Sequence, residues 1–449
     1  MRSSGRPKVL VISHDKVGAS MAGPGIRYHY MAEQLSTQFD VTVGFFDPSY
    51  VPEAGFKRSY DVASIDARLF ETSFKDFGVV IAHWLSEPMI SYCNQHQIFI
   101  VFDLYVVGPV ENLVSSLFND PESWSQNDEQ FDQSLAMYRH FFANGDLFLF
   151  SNRRQLDYWT GYVFGADQVH LANYSSRPIY DRFISAPMGI DTGVSIKSTR
   201  PVIKGVMNGI SKTDKVLLWT GGIWGHFDAQ VLIRAMKSLE NKRPDIKLVF
   251  FGIKHPNPSV KETKESLETQ RLATELGLVG KNVFFNKGWV KYGERIDYLL
   301  EADVAVNTHR ASIETEFSHR TRVLDHLLAD LPTISTEGDY LSDEIIAPKK
   351  LGFVVPPNDE AALEKAILDI LEPKILKEVK ASIKTERRNL DWSVTLAGLS
   401  NLLVNRPGKL DRLQMAPKLK KSNKATQVAK KVLPLSVKKA LIKTRNHLK

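Results

Sequence analysis

Short apolar runs alternate along this chain with stretches of helical spacing, and the alternation occurs twice. Lys8–Ser13 (KVLVIS) is rich in β-branched residues and ends in turn residues, the pattern of a strand buried on both faces of a parallel sheet. A Gly/Pro-rich loop, Gly18–Gly25, follows, and Ile26–Leu35 then sets Ile26, Tyr30, Met31 and Leu35 on one side of a helix. Phe39–Phe46, Gly78–Ala82, Ile98–Phe102 and Leu147–Phe150 continue the series of strands. The pattern pauses in a Gly/Ser/Thr/Lys-rich stretch at Asp191–Asn208 and restarts with a strand at Val216–Trp219, a turn at Thr220–Gly222 and a helix at Ala229–Leu239. Lys247–Phe251, Val283–Phe285, Val304–Asn307 and Thr333–Ser335 supply further strands, with helices at Glu360–Leu371 and Asp391–Leu403. The fold class expected is α/β, with two Rossmann-like domains facing a cleft. The expected boundaries are 1–194 and 195–390 for the two domains, 391–407 for a helix crossing back onto the first, and 408–449 for a basic tail, helical or disordered.

Composition sharpens this picture in four ways. The chain has 449 residues, 43% of them hydrophobic, enough for two or three real cores. No apolar run reaches the roughly 18 residues of a membrane span, and Val9–Ile12 is too short for a secretory signal core, so the expected location is cytoplasmic. With Cys93 the sole cysteine, neither an intramolecular disulfide nor a Cys-based zinc site is possible. Charge is uneven: from Gly408 onward thirteen Lys/Arg stand against Asp411, so +12 of the net +7 lies in the tail and the body carries −5. An acidic body argues against nucleic acid as a partner. In the tail, Val437, Ala440, Leu441, Thr444 and Leu448 form a stripe ringed by lysines, which reads as a helix at an anionic membrane surface. A disordered solubilising tail is the plainer alternative.

Candidate chemistry gathers at the strand ends. Thr220-Gly221-Gly222 lies between a strand and a helix, where glycine lets a diphosphate approach the backbone and a helix start offers N–H donors; an ordinary tight turn has the same sequence. Gly23-Pro24-Gly25 holds the matching place in the first half, but Tyr28 fills the third glycine position of a dinucleotide fingerprint, which disfavours an oxidoreductase. Arg27 follows that loop and suits a phosphate or acceptor group, or simply solvent. In Glu314–Asp325 (ETEFSHRTRVLD), a helix starting at Ser318 would put Arg320 in its first turn beside a phosphate and Asp325 two turns in, at a ribose; a salt-bridged surface helix is the alternative. Asp103 and Glu111 follow a strand and are placed to line the cleft or to cap and pair with Arg. His83, His309 and His319 lie near strand ends or in loops without metal spacing, and no D-x-D triplet is present to hold a divalent ion.

These runs carry a resemblance. LLWTGGIWGHFD at 217–228, LVFFGIKHP at 248–256, VFFNKGWVKY at 283–292, the 314–332 segment and TEGD at 336–339 look like the C-terminal half of a glycosyltransferase. GPGIR at 23–27, FDLY at 102–105, SNRRQLDYW at 151–159 and MGID at 188–191 agree in the N-terminal half. Across 8–404 the chain resembles family-4-like, retaining glycosyltransferases of the two-Rossmann GT-B fold, enzymes of bacterial polysaccharide and cell-envelope assembly. The resemblance implies a nucleoside-diphosphate sugar as donor, a glycan or lipid-linked acceptor, no cofactor, no metal, and a peripheral position on the inner face of the cell membrane. It places Gly221 and Gly222 at the diphosphate, Gly288, Trp289 and Val290 at the nucleobase, Arg320 at the phosphates and Asp325 at the ribose. Glu314 or Glu316 would face the donor sugar, His83 is the candidate for the catalytic-region histidine, and Gly23, Gly25, Arg27 and Asp103 would lie on the acceptor side.

Two departures from the family pattern stand out. The E-x7-E pair ends here in Asp325, and eight places earlier stands Phe317. The Arg/Lys pair expected soon after the first strand of the second half is absent from Ile223–Phe227, leaving Arg320, Lys254 or Lys287 to supply that charge. The alternatives are a nucleotide-sugar epimerase of the same architecture and a non-catalytic, membrane-bound protein that binds sugar nucleotides.

Overall fold

The computed structural model describes residues 6–405 apart from 48–49, 52, 54, 118–123, 167–168, 170–173, 175–178, 195, 254–261, 287 and 289. The expectations for Lys254, Lys287, Trp289 and the tail lie outside the described residues.

The first sheet has seven strands: β1 (Lys8–Ile12), β2 (Asp40–Phe45), β3 (Asp61–Ser64), β4 (Val79–Ala82), β5 (Phe99–Asp103), β6 (Leu147–Phe150) and β7 (Phe183–Ser185). The second has six: β8 (Lys215–Trp219), β9 (Ile246–Phe250), β10 (Val283–Phe285), β11 (Val304–Asn307), β12 (Thr333–Thr336) and β13 (Gly352–Val355). Their orders are β3-β2-β1-β4-β5-β6-β7 and β10-β9-β8-β11-β12-β13. Every pairing between these strands is parallel, for instance Val9 with Val41 and with Val79, and Leu217 with Leu248 and with Val304. The inner strands read as unbroken apolar runs because helices cover both faces, and Val9, Val11, Val80, Ile81, Leu217 and Leu218 are almost fully buried. Strand order reverses beside β1 in one sheet and beside β8 in the other, the topological position at which open α/β sheets leave a crevice.

Helices α1 (Gly23–Leu35) and α2 (Gly108–Ser116) start at the cleft side of the first domain, and α3 (Arg153–Gly165) follows β6. In the second domain, α4 (Ala229–Leu239) is held by its Asp228 N-cap, which accepts from Val231 N–H. The expected crossing helix is two pieces, α7 (Trp392–Thr395) and α8 (Ala397–Val404), broken at Leu396. Trp392, 1% exposed, stacks on Tyr30 of α1 at 5.3 Å between ring centroids, and Ile190 forms a parallel bridge with Asp391. Burial of an aromatic of that size, roughly 2–3 kcal/mol, makes the crossing a structural clasp.

One segment departs from the helix expected to start at Ser318. Ser312 caps a short α5 (Ile313–Phe317) by accepting from Thr315 N–H, and Ser318 ends it in extended backbone. The chain restarts only at α6 (Arg322–Leu328), after a break at 318–321. Arg320 therefore lies in the break, and Arg322 opens the helix. Asp325 is one turn in, where two were expected. The segment before the break makes interdomain contact: Phe317 packs edge-on against Tyr158 of α3 at 5.2 Å, and its carbonyl accepts from Gln155 Nε2 at 2.9 Å.

Candidate active site

Two adjoining cavities of about 270 and 470 Å³ occupy the cleft between the sheets. They are lined by residues just after β1 (His14), β4 (His83), β8 (Thr220 and Gly221) and β11 (Glu314). Gly23, Met188, Trp224, Thr321 and Arg322 border both, so the two are one continuous site with Arg322 at the junction.

In the smaller cavity, the turn after β8 passes through a left-handed residue, Gly221 at φ +77°, which a side chain would strain. Against it lies the Arg322 guanidinium, which donates through Nη2 to the Gly222 carbonyl at 2.9 Å. It sits over the Phe227 ring at 3.8 Å and the Trp219 ring at 5.3 Å. Its Nη1 is buried without a hydrogen-bond partner, and no carboxylate pairs with it among the described residues. Burial, and then the charge of Arg320, push Arg322 from 12.5 down to about 9. It remains a cation at neutral pH, one that lacks an anion. Across the cavity, α1 begins at Ala22 and Gly23 with no side-chain cap; Pro24 carries no N–H, so Gly23 and Gly25 are the uncapped donors at this helix start.

Farther along the same cavity, Asp325 accepts from Arg295 Nε at 3.0 Å through one carboxylate oxygen and is partly exposed. Arg295 lies flat on Tyr292 at 3.4 Å. Val290, Phe251 and Leu328 complete an apolar wall beside them. A cation at one end, a carboxylate one turn along the same helix and an apolar slot beyond suit a diphosphate, a ribose and a base in that order.

The larger cavity is where carboxylates from the two domains meet. Glu314 is gripped by Arg320 in a fork, at 3.0 and 2.7 Å, with both side chains buried. From the first domain, Glu111 of α2 lines the same cavity. Burial, then the charge of Glu314, lift its carboxyl above the usual range, with Arg320 opposing. His83 bonds through Nδ1 to the Asp103 carbonyl at 2.9 Å; a carbonyl only accepts, so Nδ1 carries the hydrogen and Nε2 is left as acceptor. His14 lies 5.4 Å away, ring to ring. His226, pushed down to about 2 by burial and then by Arg320 and Arg322, is neutral.

The structure thus brings Gly23, His83, Gly221, Gly222, Val290, Glu314, Arg320 and Asp325 to the cleft. Other residues expected there are elsewhere. Arg27 and Asp103 are fully buried and form a two-pronged ion pair at 2.6 Å on each arm, beneath Tyr105. Gly25 is buried in the first turn of α1, where a Cβ would come within 2.2 Å of the Lys16 carbonyl oxygen. Glu316 is exposed, and Gly288 is exposed beside Asn286. The Gly221-Gly222 turn does not lead straight into a helix, since α4 begins only at Ala229. Sequence reasoning passed over Arg322, His14, Tyr105 and His226. The available signal for Arg322 was two arginines two apart immediately before an apolar-faced helix; for His14, its position just past the first strand.

Two facing parallel sheets, with the site built from their strand-end loops, have the architecture of the GT-B fold. More particularly, residues 206–389 match the family described as glycosyl transferases group 1, and the domain of β8–β13 belongs to it. No curated protein matches the chain. Solved structures share the fold at low identity. Sucrose-phosphate synthase from Thermosynechococcus elongatus gives a TM-score of 0.65 at 15% identity, over 89% of this chain and 99% of that one. Anabaena HepE in complex with UDP gives 0.58 at 13%, over 89% and 100%. WaaG, a glycosyltransferase involved in lipopolysaccharide biosynthesis, gives 0.57 at 16%, over 88% and 99%.

Proposed function

We propose that this glycosyltransferase moves a sugar from a nucleoside-diphosphate donor to a glycan or lipid-linked acceptor, with retained anomeric configuration and without a metal ion. The observation that carries the reading is Arg322, a buried cation with no carboxylate partner among the described residues and an unpartnered N–H, at the junction of the two cavities. In transfer, the bond from the sugar's C1 to the diphosphate oxygen breaks, the bond from C1 to an acceptor oxygen forms, and that hydroxyl's proton passes to the departing diphosphate. Negative charge grows on the leaving diphosphate. Arg322 and the N–H groups at the start of α1 are fixed beforehand to meet it, which lowers the barrier without reorganisation. Asp325 takes the ribose hydroxyls, and Glu314, oriented by Arg320, faces the donor sugar. HepE crystallised with UDP makes uridine the first base to try.

Thermal unfolding with a panel of nucleoside diphosphates and their sugars, in chelator, tests the reading. A ligand at 100 times its Kd adds about 2.7 kcal/mol. No shift across the panel would refute it. The work takes place, on this reading, at the inner face of the cell membrane in envelope polysaccharide assembly, with the basic segment 408–449 as the membrane contact. A chain ending at 407 should lose binding to anionic vesicles and keep nucleotide binding; unchanged vesicle binding would move the contact elsewhere.

A further inference from the structure

Beyond the donor site, the larger cavity says what kind of acceptor it admits. We propose that Glu111 binds the acceptor, and that the acceptor group it receives is an uncharged, hydroxyl-rich sugar and not a sugar phosphate or other anion. The inference rests on the donor reading above, which assigns the smaller cavity to the nucleotide and leaves the larger one for the sugar and its acceptor.

Glu111 sits in the first turn of α2, and α2 faces α5, the element that carries Glu314. The two carboxylates thus reach one cavity of about 470 Å³ from opposite domains. They are held differently. Glu314 is neutralised by Arg320 in a two-pronged pair. Glu111 accepts no side-chain or backbone hydrogen bond from a described residue, and its position in the cavity wall leaves it for a ligand's donors. A carboxylate accepts from hydroxyls and repels anions.

The rest of the first domain's wall agrees. Among its described residues there is no Lys or Arg. The nearest arginine, Arg27 beneath Tyr105, is fully buried and neutralised by Asp103. His14 is kept neutral near pH 7 by burial and by His83. Tyr105, and from the second domain the partly exposed Trp224, add aromatic surface of the amphipathic kind that a sugar ring can lie against. The two cations of the cavity, Arg320 and Arg322, belong to the opposite wall, the first paired with Glu314 and the second at the Gly222 turn. An anionic acceptor lying along the first domain's wall would therefore meet Glu111 with no cation on that wall, while Arg320, which bears on Glu111 from the opposite wall, is already held by Glu314.

The test uses the full chain with the donor found by the nucleotide panel. Transfer is measured by mass spectrometry to a set of neutral methyl glycosides and to the corresponding 6-phosphates. Wild-type protein should prefer the neutral members at least tenfold in kcat/KM. Glu111→Gln should raise acceptor KM and lower kcat/KM about 10- to 100-fold while leaving donor Kd within threefold. Melting of the variant is followed in parallel, and no loss of stability is expected from replacing a carboxyl already disfavoured in its charged form. Preference for the phosphates, no transfer to any neutral glycoside, or a Glu111→Gln effect that falls equally on donor binding would overturn the proposal while nucleotide binding persists. Failure of every nucleotide to bind would instead remove the donor reading on which it stands. The acceptor comparison needs only wild-type protein, so it decides the matter even if the variant does not fold.

Discussion

Replacing Arg322 with methionine separates what this residue does for the fold from what it does for the donor. In the free protein, a guanidinium brought from 12.5 down to about 9 carries an unfavourable free energy on the order of 5 kcal/mol. Against that stand the bond to the Gly222 carbonyl, about 1 kcal/mol, and the stacking on Phe227, about 1–2 kcal/mol. Methionine keeps much of the contact with Phe227 and Trp219 and removes the charge. The free variant should therefore be as stable as wild type or more so, by about 1–3 kcal/mol. The sign with pH follows: the folded-state value lies below the unfolded one, so the penalty is complete below about pH 9 and fades as pH rises toward 12.5.

The bound state should respond in the opposite direction. Two charge-assisted hydrogen bonds to a diphosphate contribute about 1.5–3 kcal/mol each, so the variant should lose at least about 100-fold in nucleoside-diphosphate affinity. Affinity for the nucleoside alone should not change. Calorimetric titration of both ligands, beside urea unfolding at pH 7.5, reads all three quantities. Diphosphate affinity within threefold of wild type, or a free variant less stable by more than about 2 kcal/mol, would show that Arg322 is a structural residue and refute the reasoning.

Other residues give sharper local tests. Asp325→Asn should weaken nucleoside-diphosphate binding about tenfold yet leave inorganic pyrophosphate binding unchanged, as titration with both would show; parallel losses would take Asp325 away from the ribose. His326 is fully buried between the Thr220 and Thr333 hydroxyls and is pushed down to about 3 by burial and then by Arg322. Its folded value lies below 6.5, so its contribution is complete above that pH and is lost as pH falls toward 3. His326→Gln should reduce the fall of stability below pH 6.5 by about 1.4 kcal/mol per pH unit, seen in urea midpoints at pH 7.5 and 5. Gly25→Ala should displace the loop that carries Ala22 and Gly23, because its Cβ would come within 2.2 Å of the Lys16 carbonyl oxygen. Turnover should drop more than tenfold with a stability loss of about 1–3 kcal/mol, and full turnover would free the loop from the site.

The inner strands were legible because parallel strands covered on both faces must be apolar throughout, and KVLVI and VLLW admit no other reading. What escaped were β3, β7 and β13: DVAS is a mixed edge strand, FIS has three residues, and GFVV is only partly buried. At the site, the glycine turns and Asp325 could be found by position. Arg27 and Asp103 could not be told from cleft residues, because their mutual burial depends on a contact 76 residues apart in sequence. The stretch 314–325 failed for a local reason. Its charges fit a continuous helix as well as a broken one, and the break is decided by Phe317 meeting Tyr158 of the other domain.

That break also accounts for the charge missing from the turn after β8. Ending α5 at Phe317 frees the chain to place Arg320 and Arg322 on separate duties, one gripping Glu314 and the other reaching Gly222. Arg322 and Asp325 are three apart on α6, on one face and one turn from each other, about 5 Å of rise. A cation for phosphate and a carboxylate for ribose thus sit on one rigid element. Each is tied to its surroundings, Arg322 to the Gly222 turn and Asp325 to Arg295. A nucleotide laid along α6 would meet both without rearrangement of either. The cost is a buried cation that no carboxylate among the described residues neutralises, and on the proposed reading that imbalance favours the diphosphate. The opposite wall carries the unneutralised Glu111, so the cleft is polarised from a positive donor end to an acidic acceptor end. A donor that enters turned end for end would set phosphate against carboxylate, and the same charges that draw the diphosphate in therefore also fix its direction.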